Sequence, residues 1–87
     1  MFILIERYIN NMDIFDLQNL AISKGIDLSK EELDFSFSFI KKNWKNVLSN
    51  YNSFDLDKYK DKFSEENFMK INKLYKDLLF KYGRYLN

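Results

Sequence analysis

The chain has 87 residues, 46% apolar and 18% aromatic, with a net charge of +1 and neither cysteine nor histidine. That is material for one small core and a single domain, and it excludes disulfides, thiolate and imidazole metal ligands, cysteine nucleophiles and histidine bases. With Gly25 and Gly83 as the only glycines, a glycine-rich phosphate cradle is excluded too, so the composition points away from an enzyme, a cofactor and a small-molecule substrate.

The first predicted element is a short helix over about residues 2 to 10, with Phe2, Ile5 and Ile9 as its docking side. Only four apolar residues follow Met1 before Glu6 and Arg7 intervene, short of the roughly 7 to 15 of a signal peptide or the ~20 of a membrane span. The chain therefore reads as soluble and cytoplasmic, with no membrane partner. Its wealth of Lys, Asn, Ile, Phe and Tyr looks like the coding bias of an AT-rich bacterial genome.

The second helix is announced by its caps. Asp13 and Asp16 have the spacing of an N-terminal capping box, Phe15, Leu17, Leu20 and Ala21 follow at helical spacing, and Gly25 after Lys24 is the left-handed residue that ends a helix. Ile26 and Leu28 then point one way in a short extended link, and Ser29 with Glu32 forms a second capping box that opens the third helix.

The third helix contains LDFSFSFIKKNW, residues 33 to 44, where Phe35, Phe37 and Phe39 alternate with serines in the pattern of a strand. The capping box upstream argues for a helix instead. At about 100° per residue, Leu33, Phe37, Ile40, Trp44, Val47 and Leu48 form one stripe, whereas the i,i+4 pair Phe35 and Phe39 falls on the other side. That pair needs a second partner, either the first helix or another molecule, and Phe35 and Phe39 are the candidate protein-contact residues. Whether the helix continues past Asn43 is left open by the asparagines there.

A break follows near Asn50 to Ser53, then a short helix capped by Ser53 or Asp55 with Leu56, Tyr59 and Phe63 inward, and a long last helix from Ser64. Phe68, Ile71, Tyr75, Leu78, Leu79, Tyr82 and Leu86 make the inner stripe of that helix, Leu74 and Tyr85 widen it, and Gly83 loosens or ends it. Asp55, Asp57 and Glu66 have EF-hand spacing, but the glycine position is Lys60 and Lys58, Lys60 and Lys62 add the wrong charge, so no metal site is expected.

Charge is unevenly spread. Residues 1 to 40 carry seven acids against three bases, −4, and residues 41 to 87 carry eleven bases against six acids, +5. Lys41, Lys42 and Lys45 in the third helix and Lys70, Lys73, Lys76 and Arg84 in the last are interleaved with aromatics, the composition of a nucleic-acid surface. The competing explanation is a solvated cationic side on amphipathic helices whose aromatics face inward.

The order of helix, Gly25-x-x-Leu28-Ser29, helix, and a final helix with Asn67, Ile71, Asn72 and Leu74 resembles the YqfT-like domain-of-unknown-function family of Bacillota, over about residues 5 to 80, with Leu17 as a further mark. The aromatic density of residues 35 to 44 departs from that pattern. The resemblance implies a compact all-helical intracellular protein and, since the family has no assigned activity, carries over no functional residue. Residues 16 to 33 also look like the helix–extension–helix layout of SAP-type nucleic-acid modules. The expectation is a small all-α single-domain bundle of four to five helices, non-enzymatic, acting through a protein partner or self-association, with nucleic-acid binding as the alternative.

Overall fold

The computed structural model describes residues 2–82; the expectations for Gly83, Arg84, Tyr85 and Leu86, and for the side chains of Phe2 and Tyr82, lie outside the described residues. Four α-helices, α1 (Phe2–Asn11), α2 (Ile14–Ser23), α3 (Lys30–Ser49) and α4 (Glu65–Tyr82), and a 3₁₀ segment (Leu56–Lys62) follow in chain order. The fold is a small all-α bundle, without strands among the described residues. No helix among them is long and apolar enough to cross a membrane.

Each helix boundary has a local cause. At the start of α2 the Asp13 carboxylate accepts the Asp16 amide at 2.8 Å while the Asp16 carboxylate accepts the Asp13 amide at 3.0 Å, which satisfies two otherwise orphaned donors. At its end Gly25 takes φ 75°, the Gly25 amide donates to Ile22 O and the Ile26 amide to Ala21 O. This is a Schellman closure, and Ala21 and Ile26, the two residues its longer bond joins, are both buried. Ser29 and Glu32 close the second box at 3.1 and 2.8 Å.

The helix α3 runs unbroken past Asn43 to Ser49. Asn43 is accommodated because its side-chain amide donates back to Phe39 O, and the chain turns only at Asn50, whose carbonyl accepts the amides of Ser53 and Phe54. The 3₁₀ segment is capped by Asp55, whose carboxylate accepts the Asp57 amide at 3.1 Å; Asp55 thus serves as a cap. On α4, Leu78 is 45% exposed, outside the inner stripe assigned to it from spacing.

The helix α3 is the axis of the bundle, with α1 and α2 on one side and α4 packed on the 3₁₀ segment. Met12, Leu17 and Leu33 form the buried centre, with Ile14, Leu28, Phe37 and Ile40 packed against it. Phe37 therefore joins the core, as its place in the stripe predicts.

Candidate interaction surfaces

Phe35 and Phe39 find their second partner within the chain, and it is the 3₁₀ segment rather than α1. The Phe35 ring lies 5.8 Å from Phe63 and 5.9 Å from Tyr59, and Phe39 lies 4.8 Å from Tyr59 and 6.0 Å from Phe54, between centroids. Edge-to-face and tilted rings at these separations attract through their quadrupoles beyond the area they bury. Both residues are half-buried within this aromatic cluster, and both also line an apolar cleft. Alternation with serine had obscured this, because the partner rings come from a segment roughly twenty residues further on.

Behind that cluster, α3 and α4 enclose an apolar cleft of 390 Å3 that Trp44, Val47, Ile71 and Tyr75 help to line. The Tyr75 hydroxyl is sealed from solvent and has no hydrogen-bond partner among the described residues. Burial pushes its pKa above the ordinary 10.0, since the phenolate would be desolvated.

The basic residues separate into two groups. Lys41 donates to the carbonyls of Ile9 and Asn10, at the end of α1, where a cation also meets the negative end of that helix dipole. Lys45 pairs with Glu6 of α1 at 3.7 Å, and Lys42 is exposed. The third helix thus spends Lys41 and Lys45 on holding α1. Lys70 donates to Gly25 O at 2.9 Å and meets Glu66 at 3.7 Å.

Lys73 and Lys76 are exposed. Lys73, but not Lys76, borders a groove of 660 Å3 that Lys24, Lys70 and Lys81 also line, with Asp77 as its one acid and Phe80 on its rim. Sequence reasoning grouped α4 lysines with those of α3; the structure groups them with Lys24, which spacing along one helix has no means of finding.

A third surface is apolar. Ile3, Leu4 and Tyr8 on α1 and Leu20 on α2 are 66, 70, 59 and 40% exposed, and Leu4, Tyr8 and Leu20 line a groove of 330 Å3 floored by Ile5, Met12 and Leu17. Contiguous apolar exposure of this kind marks contact sites, in contrast to the scattered exposure ordinary on a surface. Arg7 and Asp16 flank an adjoining depression that shares Tyr8 and Leu20.

The polar residues that position α4 are Glu32 and Asn67, both buried. Glu32 Oε1 accepts from the Ser29 amide and from Asn67 Nδ2, each at 2.8 Å, and Oε2 accepts the Ser64 amide at 2.6 Å. Asn67 Nδ2 also donates to Asp27 O at 2.8 Å. Burial works against the charged form, but the bonds from Ser29, Ser64 and Asn67 outweigh it and hold the Glu32 carboxyl below its usual range. No family model, curated protein or solved structure matches the chain.

Proposed function

We propose that this protein is a non-enzymatic self-association module, and that a second copy of the chain covers the apolar groove between α1 and α2. The observation that carries this reading is the group of exposed apolar side chains Leu4, Tyr8 and Leu20 around a groove lined by apolar residues. An 87-residue chain has little apolar surface to spare, since a small domain buries only about 60% of what its unfolded chain exposes. Leaving three large side chains together in water forgoes burial worth roughly 1.5–3 kcal/mol for each when fully covered.

A second copy is favoured over an unrelated partner by the charges on the rim. Arg7 and Asp16 flank the adjoining depression, which shares Tyr8 and Leu20 with the groove, and neither forms an ion pair among the described residues. In a two-fold dimer closed over the groove, Arg7 of one copy can meet Asp16 of the other, and symmetry repeats any such contact, the self-complementarity that an isologous interface requires.

Sedimentation equilibrium over a range of concentrations tests the proposal. The wild-type chain is expected to dimerise, Leu4→Glu with Tyr8→Glu to be a folded monomer, and Arg7→Asp to weaken the dimer unless combined with Asp16→Arg. A wild-type monomer at concentrations of about 100 μM, where even weak specific dimers form, overturns it.

A further inference from the structure

We infer that the groove between the end of α2 and the outer side of α4 binds single-stranded nucleic acid, with Lys24, Lys73 and Lys81 on phosphates and the Phe80 ring stacked on a base. The inference is independent of self-association, because the groove is built from different residues.

Three observations converge on it. First, the fold brings four lysines to one depression of 660 Å3 in which Asp77 is the single acid among the described residues, although the whole chain carries only +1. Lys70 is partly neutralised by Glu66 and tied to Gly25 O, whereas Lys24, Lys73 and Lys81 have no ion-pair partner among the described residues. The Schellman turn at Gly25 produces this grouping: it ends α2 with Lys24 at its cap, beside the carbonyl that Lys70 binds.

Second, Phe80 is 92% exposed on the rim of the same groove. A phenylalanine so fully in water is not part of the core among the described residues. Next to lysines it is a stacking platform, since every base has a π-face and an aromatic side chain is worth roughly 1–3 kcal/mol per stacked base.

Third, the combination selects among polyanions. In a duplex the bases are stacked on each other and unavailable to Phe80, and an acidic peptide offers charge without an aromatic face. A single strand offers both at the spacing of successive nucleotides. Lys41 and Lys45 take no part, because both are engaged with α1.

Fluorescence anisotropy with a labelled oligothymidine and oligouridine of about 12 nucleotides, within the usual site size of single-strand binders, tests this on the full chain. Three phosphate contacts give a slope near −2 in log K against log salt, so affinity is expected to fall about 15-fold between 50 and 200 mM salt. Phe80→Ala is expected to weaken binding about fivefold or more, and Lys24→Glu with Lys73→Glu and Lys81→Glu to abolish it. All four side chains are exposed, so circular dichroism of the variants should match the wild type.

Three results overturn the inference. One is no binding at about 20 mM salt, where phosphate contacts are at their strongest. Another is equal binding of polyglutamate with no effect of Phe80→Ala. The last is preferential binding to anionic phospholipid vesicles over either oligonucleotide, which would make the same lysines and Phe80 a lipid contact.

Discussion

Glu32 Oε1 and Asn67 Nδ2 lie 2.8 Å apart in the interior, across a sequence separation of 35 residues. The contact joins two helix starts. Glu32 closes the capping box of α3 through the Ser29 amide, and its other oxygen takes the amide of Ser64, whose hydroxyl in turn accepts the Asn67 amide in the first turn of α4. One carboxylate thus serves the positive ends of two helix dipoles, which favours its charged form twice over.

Removing that carboxylate should loosen α4 from the rest of the bundle. Glu32→Ala leaves the Ser64 amide and the Asn67 side chain short of an acceptor, and a lost hydrogen bond to a buried charge costs roughly 1.5–3 kcal/mol. For a chain of this size, with about 5–10 kcal/mol of total stability, a loss of about 3 kcal/mol is expected in urea unfolding. Glu32→Gln should cost less, because one oxygen still accepts. A double-mutant cycle with Asn67→Ala should show coupling of about 1 kcal/mol.

The same site makes stability depend on pH in a known direction. The folded-state pKa of Glu32 is held below the ordinary 4.5, so the unfolded chain binds the proton first as pH falls. The stabilisation is complete above 4.5 and is lost as pH drops through the lowered folded value. Thermal melts between about pH 3 and pH 6 should show wild type losing more stability than Glu32→Gln, whose position carries no titrating group. Parallel profiles would assign acid sensitivity to other carboxylates.

Phe39 touches Phe35, Phe54 and Tyr59, and its truncation should act on folding. Phe39→Ala is expected to cost about 2–3 kcal/mol, below the range for a fully enclosed ring. Its oligomeric state, read by light scattering on the folded fraction, should stay that of the wild type. A stable monomer would instead place the seam between copies at the aromatic cluster.

Tyr75 carries a hydroxyl without a partner among the described residues, and burial without a hydrogen bond costs roughly 1–3 kcal/mol. Tyr75→Phe keeps the ring, including its edge contact with Phe54 at 5.6 Å, and removes the penalty, so the variant should be more stable by about 1 kcal/mol. In the wild type, absorbance at about 295 nm should show one tyrosine titrating above the ordinary value of 10.0, with that step missing in Tyr75→Phe. Because the folded pKa is raised, its stabilising share is present below 10.0 and lost as pH climbs through the folded value.

Local chemistry made the helices legible in the sequence. Asp13 with Asp16, and Ser29 with Glu32, are three residues apart, and Gly25 needs only its own backbone to take φ 75°. Such contacts close within one turn and do not depend on how helices cross, so spacing alone located them. The stripe through Leu33 and Phe37 was equally plain, because the period of 3.6 is a property of the backbone.

Tertiary structure decided the rest. The second oxygen of Glu32 reaches Ser64, Phe35 reaches Tyr59 and Phe63, and Lys24 comes beside Lys73 and Lys81 only because α3 turns back at Asn50 and α4 leaves the Ser64 cap at one angle. No periodicity encodes that angle. It is set by the bonds of Glu32 to Ser64 and Asn67 and by packing such as that of Tyr75 on Phe54, whereas the engagement of Lys41 and Lys45 with α1 and the meeting of Lys24 with the lysines of α4 depend on contacts between helices that spacing along one helix does not encode.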